Sequence, residues 1–184
     1  ETPKNGDRVS KINIDLPKQY FSVSAKRDTV LTSYIIDKDV ASFSFNGDKN
    51  PSEAIKKKYS LTDDRANMYK NYYTYLYGLP MKLKDEGTVI HQNVERKTFK
   101  GKEYLVLKAT YNQEVGKDTW FFYFDPKTFA MEIYQFFKEE KESGEYILLS
   151  ELETINEVKM PKIRAWYYNK DDHYLGTDIL STKK

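Results

Sequence analysis

The chain opens in alternation. Ile12, Ile14 and Leu16 are spaced by Lys11, Asn13 and Asp15, and Phe21, Val23 and Ala25 by Ser22 and Ser24. A period of two marks a half-buried strand, apolar toward a core and polar toward water. Residues 30–36 continue the pattern after a short break. Phe43 and Phe45 close a fourth strand at Asn46-Gly47, a dipeptide that favours a two-residue hairpin turn. The period then lengthens. Asn50-Pro51-Ser52-Glu53 supplies a cap residue, a proline at the first helical position and a glutamate at the third, which predicts a short helix to about residue 58. Thr62 caps a second predicted helix, and Asp63 and Asp64 suit its positive end. Gly78, as a left-handed cap, and Pro80 should end it at Tyr77. On this helix Met68, Tyr72, Tyr75 and Leu76 share an apolar stripe that Tyr69, Tyr73 and Tyr77 widen.

Strands resume after Gly87. Turn signals at Lys100-Gly101, Val115-Gly116, Asp125-Pro126-Lys127-Thr128 and Ser143-Gly144 separate runs at 89–99, 102–111, 118–124, 129–138 and 145–154. Further runs follow at 162–169, after Pro161, and at 174–180. Turns this close leave no room for crossover helices, so neighbouring strands should be antiparallel. So many strands in one meander should curl. The expected fold is mainly β (α+β): a large curled antiparallel sheet forming an incomplete barrel, with helices inserted mid-chain as a lid. Without a repeat, a low-complexity linker or a break in composition, residues 1–184 read as a single domain, with strands over 9–46, a helical insert over 51–80 and strands over 88–180.

The run of aromatics at 120–124 raises the functional question. Trp120, Phe122 and Phe124 point to one side of a strand, Phe121 and Tyr123 to the other. Met131, Ile133 and Phe137 against Tyr134 and Phe136 repeat the ambiguity on the next strand. A strand apolar on both faces has to be covered twice. Either the curled sheet packs its concave face under the inserted helices, or sheet and helices leave a cavity for an acyl chain. The candidate ligand-binding residues are Tyr72, Leu76, Leu79 and Met81, facing inward from the lid, with Trp120, Phe122, Phe124, Met131, Ile133 and Trp166 as the wall.

Composition narrows the alternatives. A chain of 184 residues can bury about 70% of its unfolded surface without a metal or disulfide staple. It has no cysteine, so disulfides and thiolate metal sites are excluded. Thirty basic and twenty-eight acidic residues leave +2, too balanced for a nucleic-acid footprint. Aromatics are the unusual component at 15%, with sixteen tyrosines. Asp125, Lys127, Glu132 and Gln135 interrupt the aromatic stretch, so it cannot be a membrane-spanning helix. Glu1 opens the sequence without an initiator methionine or a signal-peptide pattern, the expectation for a mature or trimmed chain.

Catalytic chemistry is sparse. His91 and His173 lack a second imidazole at ligand spacing, and Asp171-Asp172-His173 reads as a polar turn. Glu151 and Glu153, two apart, share a face of a predicted strand rather than opposing each other across a cleft. The glycines never gather into a phosphate-cradling loop. No catalytic residue, metal or cofactor is expected. Arg164-Ala165-Trp166-Tyr167-Tyr168 interleaves bases and rings, a pattern suited to sheet packing or to stacking on sugars.

Several motifs carry a resemblance. Residues 73–83 (YTYLYGLPMKL), 99–102 (FKGK), 115–120 (VGKDTW), 123–128 (YFDPKT), 164–168 (RAWYY) and 175–178 (LGTD) resemble an uncharacterised bacterial (Bacteroidetes-type) lipoprotein family. The similarity runs from about Ile14 to Leu180. That family is similar in pattern to LolA-like and LolB-like lipoprotein carrier and sorting proteins, whose fold is an incomplete antiparallel barrel with helices across its mouth. The resemblance implies a cell-envelope, periplasmic or outer-membrane-associated location. Its members usually begin with a lipidated cysteine, absent from this sequence, so membrane attachment is expected only through such an anchor. It also implies a non-enzymatic protein whose partner is a lipid or acyl chain. Two alternatives stand beside it: a structural or interaction module docking on an envelope partner, and a carbohydrate binder or hydrolase using Trp166, Glu151 and Asp172.

Overall fold

The computed structural model describes residues 6–139 and 143–182. The protein is mainly antiparallel β with helices inserted mid-chain, and its sheets do not close into a barrel. The chain divides into two compact units, the first ending at Leu79 and the second beginning at Pro80. The strands form two sheets, not one meander. No tight turn joins the fourth strand to the fifth, because the helical insert lies between them.

In the first unit β1 (Val9–Asp15), β2 (Tyr20–Arg27), β3 (Val30–Asp37) and β4 (Val40–Phe45) form a simple meander in chain order. The alternation seen in sequence gives this sheet one apolar face, with Phe21, Val23, Tyr34 and Ile36 at its centre. Two helices follow, α1 (Glu53–Tyr59) and α2 (Asp63–Gly78), and α2 packs on β2, β3 and β4. Phe21, Val23, Ile36 and Leu61 are each only 1% exposed. Full burial of each such side chain stabilises the fold by about 1.5–3 kcal/mol. The hydroxyl of Tyr34 donates to the carbonyl of Tyr59 at 3.1 Å, tying the sheet to the end of α1.

Three details of the insert differ from expectation. Ser52, not Asn50, precedes α1, and its side chain makes no capping bond. Gly78 is helical, and α2 ends because Leu79 is extended at φ −68°, ψ 141°. A residue before proline is driven out of the helical region, so Pro80 ends the helix at Gly78, one residue later than a Gly78 cap would. The face of α2 on the sheet is Ala66, Tyr69 and Tyr73, while Met68 and Tyr72 are exposed. With tyrosines nearly all round, the helix has no single dominant stripe to read.

The second unit starts with a 3₁₀ turn, Met81–Lys84. Its strands are β5 (Thr88–Ile90), β6 (Glu95–Phe99), β7 (Lys102–Tyr111), β8 (Thr119–Phe124), β9 (Met131–Phe137), β10 (Glu145–Ile155), β11 (Val158–Tyr168) and β12 (Tyr174–Ile179). The predicted 89–99 strand is broken, so β5 and β6 share one edge of β7. From β7 to β12 the order follows the chain. Pro161 lies inside β11 instead of before it. The hairpin between β10 and β11 turns at Asn156-Glu157 (φ 47° and 67°), a pair the sequence reading passed over.

This eight-stranded sheet is strongly curled. Phe99 on β6 and Tyr146 on β10 have ring centroids 5.2 Å apart, although β7, β8 and β9 lie between them. In a flat sheet four inter-strand steps would separate them by about 19 Å.

Gly144 holds the entry to β10. At φ 102°, its position would place a β-carbon against the carbonyl oxygen of Phe136, whereas Gly101 has open space around it. Gly144→Ala should therefore cost at least about 3 kcal/mol, combining backbone strain with overlap against main chain. Gly101→Ala should cost about 1–2 kcal/mol from its positive φ alone. Urea denaturation checks this as a larger drop in midpoint for Gly144→Ala at unchanged slope.

Candidate functional site

The hairpin β8–β9 is the centre of the candidate site, and one bulge decides which side chains meet there. Phe124 pairs with Met131, but Tyr123 pairs with Ile133, so Glu132 is the extra residue. Shifting a strand by one residue exchanges its faces. Without the bulge Ile133 would stand opposite Phe122; with it, Ile133 joins Tyr123. Glu132 is held by Lys102, whose Nζ lies 2.7 Å from its carboxylate and 2.9 Å from that of Asp125. Asp125 also accepts the backbone N–H groups of Lys127 and Thr128 at 2.9 Å each, closing the tight turn. The Thr128 N–H bond and Lys102 hold the Asp125 carboxyl well below the usual carboxylate range. Glu132 and Asp125 in turn push the Lys102 ammonium up.

The inner face of the curl is filled by the protein's own rings. Tyr104, Val106, Tyr123, Ile133 and Tyr146 form its buried cluster, with Phe99, Phe121, Leu148 and Tyr167 packed against it. Phe99 meets Tyr123 at 5.4 Å, and Tyr146 stacks on Tyr167 at 5.1 Å with 7° between planes. A polar chain runs through one part of the unit. The Tyr123 hydroxyl donates to Gln135 Oε1 at 2.6 Å, and Gln135 Nε2 donates to Asn169 Oδ1 at 2.9 Å. Asn169 Nδ2 then donates to the Phe136 carbonyl at 2.9 Å. The curl is latched where its two margins approach. Lys100, in the β6–β7 turn, pairs with Asp172, in the β11–β12 turn, at 2.8 Å, and the Tyr146 hydroxyl donates to the same carboxylate at 2.8 Å.

The six residues predicted as the wall do not share one face of the sheet. Trp120, Phe122 and Trp166 share the opposite face of the sheet, through the register Phe122 to Tyr134, Tyr134 to Ile147 and Ile147 to Trp166. Trp120 stacks on Phe136 at 4.8 Å, and Trp166 Nε1 donates to Asp178 at 3.0 Å. Ile133 is on the inner face, and Phe124 and Met131 sit at the bulge. Phe122 at 0% and Ile133 at 2% exposure show that each face of the hairpin is covered at its centre. Leu76 and Leu79 are buried, whereas Tyr72 and Met81 are exposed at 38% and 57%, so the expectation that all four point inward fails for these two. Two concavities are open to solvent in the first unit, and neither is lined by any of the ten predicted site residues.

Residues considered for chemistry take structural roles. Glu151 has φ 52° and pairs with Lys162 at 2.8 Å. His173 stacks on Tyr168, and His91 Nε2 shares a hydrogen bond with Thr110. Among the described residues no group of three His, Asp or Glu side chains could hold a metal ion, and no helix is long and apolar enough to cross a membrane. The sequence reading took Asp172 as a turn residue and missed Lys100, Lys102, Tyr146, Gln135 and Asn169. Partners 72 residues apart leave no local signal.

The chain belongs to a family described as a family of unknown function (DUF6503), which matches residues 1–182. Neither the curated proteins nor the solved structures contain a match.

Burial pushes the hydroxyls of Tyr123 and Tyr34 up to about 12. Their folded values exceed the unfolded value of about 10, so the folded state holds these protons longer. The stability they contribute is complete below pH ~10 and is lost as pH rises through ~12. Ultraviolet titration should show Tyr123 and Tyr34 ionising well above the ordinary tyrosine range, with denaturant midpoints falling over that interval. A midpoint flat to pH ~12 would contradict the assignment.

Proposed function

We propose that this protein is a non-enzymatic interaction module of the cell envelope, in which the packed, curled sheet carries a projecting β arm that docks on a protein partner. The observation that carries the reading is the overshoot of β10 and β11. β10 pairs with β9 only over residues 145–148, and β12 reaches β11 only from Lys162 onward. The stretches 149–155 and 158–161 therefore pair only with each other. A two-stranded ribbon is marginal in water by itself. This one displays Leu152 at 67% exposure and Val158 at 45%. The positive φ of Glu151 and the position of Pro161 inside a strand both discourage another strand from adding to its edges. Docking through side chains is the mode that remains. The envelope location is supported by the resemblance to bacterial lipoproteins.

A lipid or acyl chain held by the curl is the second reading, favoured by the apolar character of its inner face. The burial of Phe122 and Tyr134 on one side of the β8–β9 hairpin and of Tyr123 and Ile133 on the other weighs against it.

The arm is tested by placing a photo-crosslinking residue at position 152 or, as a control, at Lys127, in cells of the source organism. The expected outcome is one discrete protein adduct from position 152, with none from 127. These exposed substitutions should change stability by no more than about 0.5 kcal/mol. Equal labelling from both positions would remove the docking reading. Co-purified acyl chains in native mass spectra of detergent-free protein would favour the second reading in its place.

A further inference from the structure

The face of the four-stranded sheet turned away from α2 is unusual in detail. Its rows follow from the register: Lys11, Ser24, Ser33 and Ser44; then Asn13, Ser22, Ile35 and Ser42; then Asp15, Tyr20, Asp37 and Val40. Strand positions that merely face water commonly carry threonine or long charged side chains, which cover the pleat. Five serines leave this surface low, and Ser24 and Ser33 bond only each other across it at 2.9 Å. The low surface ends at a rim made by the β1–β2 and β3–β4 turns, which are tied together by the bond from the Lys38 N–H to the Gln19 carbonyl at 3.1 Å. Between surface and rim lies an open cleft of ≈ 710 Å³ lined by Asn13, Asp15, Lys18, Gln19, Tyr20 and Asp37, with Pro17 and Lys38. That volume is within the range of small-molecule sites, about 300–1,000 Å³.

We propose that this cleft is a binding site for a neutral saccharide. Tyr20 is the one aromatic ring in the cleft, and register places a carboxylate on each side of it, Asp15 on β1 and Asp37 on β3. A sugar ring presents an apolar C–H face, which an aromatic side chain covers, and a girdle of hydroxyls. Carboxylates accept from hydroxyls, and the amides of Asn13 and Gln19 both donate and accept. Lys18 bridges to Asp15 at 2.7 Å and holds that carboxylate in place. The charges balance, Asp15 and Asp37 against Lys18 and Lys38, so the cleft selects neither for a phosphate nor for a cation. A neutral polyol is the ligand class that uses all of these groups without leaving a charge uncompensated. The site belongs to the first unit and does not rest on the docking arm of the second.

The test is a heteronuclear NMR titration of the full chain with maltotriose, cellotriose and tri-N-acetylchitotriose, each to millimolar concentration. Saturable shifts of the amides of Asn13, Gln19, Tyr20 and Asp37 with at least one of the three are expected. Tyr20→Ala and Asp37→Ala should each weaken that binding at least about tenfold, a typical loss for a central contact, while the remaining spectrum is retained. No saturable shift with any trisaccharide would overturn the proposal. So would equal affinity in Tyr20→Ala, or displacement of the shifts by inorganic phosphate.

Discussion

A strand hairpin apolar on both faces forces the structure around it to supply two covers, and most of the second unit can be derived from that requirement. Trp120 and Phe122 take one face, Tyr123 and Ile133 the other, and both sets are buried or nearly so. For the inner face the cover is the sheet itself. Curling brings Phe99, Tyr104, Tyr146 and Tyr167 over the hairpin. Rings suit this task because each brings a large apolar area on few rotatable bonds, and offset or edge contacts let them tile a curved surface. Their hydroxyls need partners, and Gln135 supplies one to Tyr123.

Charge positions this arrangement more than it stabilises it. Surface ion pairs contribute little to stability. Lys102 nevertheless selects a register: by holding Glu132 out of the ladder, it keeps Ile133 on the inner face. Lys100 and Asp172 act at the other margin, where the curl brings β6 to the β11–β12 turn.

Much of the fold was legible because its signals are local. The alternation in β1 to β4, the Asn46-Gly47 and Lys100-Gly101 turns, and the Thr62 cap, whose side chain accepts the Arg65 N–H at 3.2 Å, all act within a few residues. The candidate site was not legible in the same way. Grouping Met131 and Ile133 with Trp120 and Phe122 assumes an unbroken ladder, and a single bulged glutamate reverses it. The lining of α2 was misread for a different reason: Tyr72 and Tyr73 are chemically identical, and only the position of the sheet decides that Tyr73 is buried at 5% exposure. The arm escaped notice because Asn156-Glu157 lacks glycine or proline, although both residues adopt the left-handed conformation that a tight hairpin demands.

With the centre of the hairpin covered on both faces, the two proposed recognition surfaces lie elsewhere, one in each unit, and they differ in chemistry. The arm of β10 and β11 offers apolar side chains on a ribbon whose edges are guarded, so it can gain by burial without templating a further strand. The four-stranded sheet spends its apolar face on α2 and leaves a face of serines, amides and balanced charges. Such a surface gains little from excluding water and can hold only ligands that replace hydrogen bonds one for one. The period-two alternation that builds the core of the first unit therefore also determines what its other side can bind.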